Sequence, residues 1–146
     1  MAALEVHMDA KRFLAGTVVG GIVLYAIGYL IFTVAFASFY AANAGAATGV
    51  NRPDELMWAV VLGSLGYAAL ICYAMGNRAA AGPGAGARIG AIVGFLIWFS
   101  VDFILYGVQD VSNLTRTIVD PLLEIIHGGI GGAAIGLVIG KMKPAL

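Results

Sequence analysis

Three ionisable residues lie inside strongly hydrophobic stretches of this sequence, where a charged group needs a partner. Glu124 and His127 are three positions apart in PLLEIIHGGIGGAAIGLVIG, and Asp102 lies in the preceding hydrophobic stretch. Residues three apart on a helix are neighbours on one face. Two acids and an imidazole in one place can relay protons, hold a cation or bind a metal, as Glu-x-x-His does in some helix bundles.

Several interpretations of this polar cluster stay open. Two carboxylates and an imidazole that meet in a low dielectric cannot all keep independent charges, so they share a proton or hold a cation. The alternative is a purely structural role, in which the three residues form a hydrogen-bonded clamp that fixes the pairing of helices. Because Glu-x-x-His occurs once rather than twice, we predict no metal ligands. We also predict no cofactor and no catalytic residues. A dry, saturated cluster favours the clamp, whereas an open cavity that reaches it favours proton or ion handling.

The composition indicates what must position these residues. The chain has 146 residues, of which 61% are hydrophobic and 11% charged, and its mean hydropathy is +0.95. These values are typical of an integral membrane protein. We predict one all-α membrane domain over residues 1–146, a bundle of four transmembrane helices with antiparallel neighbours, near residues 14–36, 56–76, 89–107 and 121–140. The net charge is zero and offers no case for nucleic-acid binding.

The positions of the basic residues predict the orientation in the membrane. The leader, the middle connection and the tail carry Lys11, Arg12, Arg78, Arg88, Lys141 and Lys143. The first and third connections carry only Arg52 and Arg116. Since cytoplasmic segments are enriched in Lys and Arg, we expect both termini in the cytoplasm.

Two rows of glycines at every fourth position predict close contact between the third and fourth helices. The rows are Gly86, Gly90 and Gly94, and Gly128, Gly132 and Gly136. Small residues at this spacing let helix backbones approach in lipid. If Gly94 lies against Gly132, then Asp102 meets Glu124.

The depths of the ionisable residues are consistent with that pairing. Asp120 and Pro121 resemble an N-cap and a first helical residue, so the last helix is predicted to begin there. At 1.5 Å per residue, Asp102, Glu124 and His127 then lie about 7, 6 and 10 Å from the outer helix ends. We therefore expect the three residues at one depth, in the outer part of the membrane.

Three segments carry a family resemblance: GGIVLYAIGYLIF from Gly20 to Phe32, GARIGAIVGFLIW from Gly86 to Trp98, and LLEIIHGGIGGAAIG. In these segments the chain resembles the DUF1761-like proteins, small bacterial membrane proteins of unknown function. The resemblance implies four helices and no established activity, and it assigns no functional residues. With the charge distribution, it leads us to expect a multi-pass protein of the bacterial inner membrane.

Little of the chain lies outside the bilayer to perform aqueous chemistry. We therefore expect a non-enzymatic accessory or structural subunit, whose partners are the lipid bilayer and a second copy or other membrane subunits. The alternative is a small proton- or ion-coupled transporter or channel component that uses Asp102, Glu124 and His127 as a relay. A metal-dependent membrane enzyme would need the same three residues as ligands.

Overall fold

The computed structural model describes residues 8–76 and 82–142, and every regular element in these ranges is a helix. α1 spans Ala10–Gly28 and continues as a π-helical segment over Tyr29–Ala35. The further helices are α2 (Ala37–Ala42), α3 (Met57–Met75), α4 (Pro83–Val108) and α5 (Leu114–Lys141). Residues 1–7, 77–81 and 143–146 lie outside the described residues, and with them two of the basic residues used for orientation, Arg78 and Lys143.

Four helices of the described part are long and apolar enough to cross a membrane. They are Ala10–Ala35, Met57–Met75, Pro83–Val108 and Leu114–Lys141. Large apolar side chains cover the outer surface of the bundle, among them Leu14, Leu62, Leu96 and Ile126. Such an exterior suits a lipid environment. The predicted all-helical fold with four spans is thus confirmed.

α5 is the most buried of these helices, because it packs against α4 on one side and against α1 on another. α3 packs mainly along α1. At one end of the bundle, Arg12 Nη2 donates a hydrogen bond to the Ile139 carbonyl oxygen at 3.0 Å. This bond joins the start of α1 to the last turn of α5, where a cation is favourable. We call this the termini end.

The opposite end is formed by the first and third connections, which are tied together. The Ala47 backbone N donates to the Asp110 carbonyl oxygen at 2.9 Å, and the Asn113 backbone N donates to the Asn43 carbonyl oxygen at 3.1 Å. The side chains of Asn43 and Asn113 also share a hydrogen bond of 3.0 Å. We call this the loop end.

A packed apolar layer fills the half of the bundle toward the termini end. It consists of side chains from α1, α3 and α5, each with at most 1% of its surface exposed: Leu24, Ala68, Ile71, Cys72, Met75, Ile135 and Ile139. Cys72 lies in this layer as a small apolar residue. The layer closes the interior of the bundle on this side.

Three helices begin earlier than predicted, and the first of them, α1, starts at Ala10 rather than near 14. α4 starts at Pro83 rather than near 89, because Gly82 turns the chain with φ +83° and Gly86 already packs against α5. α5 starts at Leu114 rather than 121. Its N-cap is Asn113, whose side chain accepts from the Arg116 backbone N at 3.0 Å. Pro121 therefore lies inside the helix, where its missing N–H is tolerated in a buried setting.

The six predicted glycines form the contact between α4 and α5. A Cβ atom added to Gly90 would clash with the Gly128 carbonyl oxygen and lie 2.9 Å from the Gly132 Cα. Gly86 faces Gly132 and Gly136 in the same way, and Gly94 faces the carbonyl oxygen of the residue at 124. No larger residue fits there without moving a backbone.

The register of this contact differs from the predicted one. Gly132 lies between Gly86 and Gly90, more than one helical turn away from the expected neighbour Gly94. A pattern that repeats every four residues matches itself again after each shift of four, so glycine spacing alone allows several registers.

Candidate functional site

The shifted register changes the partner of Asp102. The predicted contact between Asp102 and Glu124 was wrong, and Asp102 on α4 lies beside Asp120 on α5 instead. Because α5 begins at Asn113, Asp120 is not a helix cap but a buried residue on the face toward α4. The Asp102 Oδ2 atom is buried and has no hydrogen-bond partner among the described residues. Two carboxyls therefore face each other inside the bundle, and one of them is only partly satisfied.

Asp120 has two further neighbours at the loop end. The Tyr40 hydroxyl on α2 donates a hydrogen bond to Asp120 Oδ1. The Arg116 guanidinium lies over the Tyr40 ring, 4.8 Å from its centroid, in cation–π contact. Burial, and after it the hydrogen bond to Asp120, raise the pKa of Tyr40 above its ordinary value, so the phenol keeps its proton. Asp120 is thus the hydrogen-bond acceptor of the Tyr40 hydroxyl.

Glu124 and His127 form a second, separate pair. Glu124 Oε2 lies 2.9 Å from His127 Nδ1 and accepts a hydrogen bond from the Tyr67 hydroxyl at 3.1 Å. His127 Nε2 lies 2.8 Å from the Leu24 carbonyl oxygen. A carbonyl oxygen can only accept, so Nε2 carries a hydrogen. The pair connects α5 to α1 and α3.

The proton count of this pair follows from its partners. With Nε2 protonated, one further proton lies between His127 Nδ1 and Glu124 Oε2. Wherever that proton resides, the pair has no net charge. Both nitrogens of the imidazole are satisfied, as expected of a group that fixes helix positions.

Glycines and aromatic rings fit tightly around His127. A Cβ at Gly28 would lie 3.2 Å from His127 Nε2, so glycine lets the imidazole reach the backbone of α1. The rings of Phe32 and Tyr67 meet the imidazole edge-on, with centroids 5.4 and 5.7 Å away. Phe32 belongs to the π-helical segment, and π-helical turns are frequent at functional sites. At Gly94 and Gly128, an added Cβ would fall on the Tyr67 hydroxyl.

A cavity of about 760 Å³ connects both pairs with the loop end. Its walls include Asp102, Asp120, Glu124 and His127. It extends from Leu24, at the edge of the packed apolar layer, to exposed residues of the first connection, among them Asn51 and Glu55. Aromatic side chains line much of the remaining wall: Tyr25, Tyr29, Phe32, Tyr40 and Trp98. The cavity is therefore open toward the loop end and bounded by packed side chains toward the termini end.

The structure thus divides the predicted trio. Glu124 and His127 are in contact, whereas Asp102 faces Asp120, and all four line one cavity. Asp120 was missed as a site residue because an acid before a proline resembles a helix start. Tyr40 was missed as well, although its hydroxyl donates a hydrogen bond to that acid. In the sequence, only the position of Asp120 and Tyr40 near the end of a hydrophobic stretch could have indicated that they belong to the site.

Among residues 8–76 and 82–142, no three His, Cys, Asp or Glu side chains converge closely enough to hold a metal ion. Comparison of the chain with protein families, with curated proteins and with solved structures finds no match. The resemblance to the DUF1761-like proteins stays a prediction.

Proposed function

We propose that the protein is a small proton- or ion-coupled transporter or channel component, which admits its substrate from the loop end to the carboxyl pair Asp102 and Asp120. One observation carries the proposal: a cavity leads from the exposed Glu55 to Asp102 inside the membrane-crossing region. Intramembrane acids that face a cavity are typical of ion and proton pathways.

The two pairs have different roles in this proposal. Glu124 and His127 are saturated by hydrogen bonds and together carry no net charge, so they form a fixed floor of the cavity. Asp102 has a buried oxygen without a hydrogen-bond partner in the described part of the chain, and it has a carboxyl neighbour, so it is the group that can exchange a proton or take up a cation. The predicted relay of Asp102, Glu124 and His127 is thereby reduced to the carboxyl pair Asp102 and Asp120.

The orientation is part of the same proposal. Antiparallel helices with both termini in the cytoplasm place the loop end, and the mouth of the cavity, on the outer side of a bacterial inner membrane. The excess of Lys and Arg in the leader, middle connection and tail supports this orientation. The packed layer around Ile135 and Ile139 then separates the cavity from the cytoplasm. Passage through the protein requires this layer to rearrange.

A second candidate is the non-enzymatic structural or accessory subunit, which self-associates or joins other membrane subunits. The specific observation in its favour is the saturated bridge from Glu124 and His127 to Tyr67 and Leu24, which holds three helices together. Polar bridges of this kind are common in membrane bundles. The cavity and the unpaired Asp102 oxygen are not needed for that role, so the transport proposal accounts for more of the structure.

Proton flux into proteoliposomes tests the proposal. Purified protein is reconstituted, a membrane potential is imposed, and the internal pH is followed with a trapped dye. We expect flux above that of empty liposomes, a loss of most of it in Asp102→Asn, and normal flux in Tyr73→Phe, whose side chain is 71% exposed on the outer surface of α3. Wild-type protein that behaves like empty liposomes would favour the structural subunit instead.

A further inference from the structure

We propose that the cavity binds an organic monocation, an amine or quaternary ammonium with an apolar or aromatic body, and that its binding displaces a proton from Asp102 and Asp120. The proposal deepens the function proposed above and rests on it for the transport of this cation. Binding of the cation rests on the cavity alone, so cation binding and transport can each fail without the other.

The charges that line the cavity favour a cation. Four acids contribute to its walls, namely Glu55, Asp102, Asp120 and Glu124, against the basic Arg116 and His127. His127 neutralises Glu124 in the hydrogen-bonded pair, and Arg116 balances one of the remaining acids. The remaining lining is acidic, which repels anions and attracts cations in a space with low-dielectric walls.

The aromatic residues of the wall suit the rest of such a molecule. Five rings border the space: Tyr25, Tyr29, Phe32, Tyr40 and Trp98. Aromatic faces attract ammonium groups and also provide apolar contact for hydrocarbon parts of a ligand. Arg116 already uses the Tyr40 ring in this manner, which shows that a ring of this wall accepts a cation.

The size of the cavity distinguishes an organic cation from a bare ion. Its volume of about 760 Å³ lies within the range of pockets that enclose small organic ligands. A calcium or magnesium ion instead requires a tight shell of about six or more oxygens. The described residues converge in no such arrangement. A proton pathway alone needs no space of this volume.

The carboxyl pair couples the cation to a proton. The charged or titratable side chains that face Asp102 are Asp120, Glu124 and Arg116, all from α5, and Tyr40 of α2 reaches the pair through Asp120. Without a ligand, two adjacent carboxyls are most stable when they share one proton. An ammonium group in the cavity beside Asp102 supplies the compensating charge, so the shared proton leaves to solvent. One cation is thus exchanged for one proton, and charge is conserved.

The test uses the fluorescence of Trp98, which lines the cavity. The chain has two tryptophans, and Trp58→Phe removes the other one, which is 66% exposed on the outer surface. In this background, benzyltrimethylammonium is titrated against benzyl alcohol and benzoate as neutral and anionic probes of similar size. We expect a saturable signal for the cation only, with tighter binding at higher pH because protons compete.

Variants of the wall make the assignment specific. We expect Asp102→Asn to weaken binding of benzyltrimethylammonium by about tenfold or more, as loss of a charged contact does. Glu55→Gln, at the opening of the cavity, should weaken binding less and leave folding unchanged, since Glu55 is exposed to solvent. Tyr73→Phe, on the outer surface, is the matched control and should bind like the background protein.

Each outcome decides between the proposals. Equal responses to benzyltrimethylammonium and benzyl alcohol, or no saturable response, would overturn the organic-cation site. If proton flux that depends on Asp102 is then still observed, the proposed function stands without this ligand class. Binding without proton flux, both under an imposed membrane potential and on a gradient of benzyltrimethylammonium, would retain the cation site and refute transport.

Discussion

Among single residues, Asp102 and Glu124 show how two acids that line one cavity differ because their neighbours differ. Glu124 Oε2 has two hydrogen-bond partners, His127 and Tyr67, and belongs to a neutral pair. Asp102 has a second carboxyl for a neighbour, and its Oδ2 is buried without a partner in the described part of the chain. The first arrangement fixes structure, whereas the second leaves an unsatisfied group that a proton or a ligand can satisfy.

We predict that Asp102 is protonated at neutral pH in the ligand-free protein. Asp120 accepts a hydrogen bond from the Tyr40 hydroxyl, whereas Asp102 Oδ2 has no partner among the described residues, so we expect the proton shared by the two acids on Asp102. Infrared spectroscopy of the protein in lipid should show a protonated-carboxyl band that Asp102→Asn removes.

Glu124→Gln is the control for that measurement, because Glu124 is paired with His127 and the Asp102 band should survive the change. A spectrum in which every carboxyl is ionised would contradict the proposed proton-sharing pair.

The residues of the site differ in how well they can be predicted from the sequence. Asp102, Glu124 and His127 stand out because ionisable groups are rare in membrane segments. Asp120 could not be recognised, since an acid followed by Pro121 is also the usual pattern of a helix start. The contact of Asp102 with Asp120 depends on a helix–helix register that no single residue specifies.

At the scale of elements, the glycine rows bring α4 and α5 into backbone contact. A Cβ at Gly132 would clash with the Gly86 carbonyl oxygen and lie 2.9 Å from the Gly90 Cα. Membrane helices gain their association from such close packing rather than from the hydrophobic effect. The rows predict which helices meet, but their fourfold repeat leaves the register open.

We expect Gly132→Leu to destabilise the bundle strongly, because the new side chain has to push α4 away. Overpacking of this kind costs about 1–3 kcal/mol or more. Thermal unfolding in mild detergent should show a lower midpoint.

Gly63→Leu provides a matched control within α3. A Cβ at Gly63 meets no atom within 4 Å, so the same substitution should leave the midpoint nearly unchanged or raise it slightly through better helix propensity. Equal melting temperatures for the two variants would show that the α4–α5 contact is not the one described above.

The π-helical segment Tyr29–Ala35 is an element that the sequence does not reveal. The Phe36 backbone N bonds to the Ile31 carbonyl oxygen, five residues back, at 2.9 Å. The letters YLIFTVA contain nothing that distinguishes this winding from an ordinary α-helix. Its consequence is local: Tyr29, Phe32 and Thr33 of this segment line the cavity beside His127.

At the scale of the whole molecule, the two halves of the bundle differ. Toward the termini end, Leu24, Ile135 and Ile139 are packed with almost no exposed surface. Toward the loop end, the cavity lies between the helices, and a hydrogen bond between Asn43 and Asn113 joins the two connections. A bundle closed on one side and open on the other matches a binding site with access from one face of the membrane.

Hydropathy alone predicts the number and approximate ranges of the four spans, because each must supply about 20 apolar residues. It does not predict which spans are neighbours or how far helices continue beyond the hydrophobic core. α4 begins at Pro83 and α5 at Leu114, within segments whose composition resembles turns. The cavity follows from those details and could not be derived from the sequence.

The most direct test of a water-filled cavity that reaches the acids is thiol labelling of Ser64→Cys in a Cys72→Ala background. Ser64 lines the cavity, whereas the native Cys72 is fully buried and provides an unreactive control in the wild type. In sealed vesicles, an impermeant cationic methanethiosulfonate should label residue 64 from the side of the first and third connections, and more slowly from the opposite side. A residue 64 that stays unlabelled from both sides would mean a dry bundle and would contradict the proposed pathway.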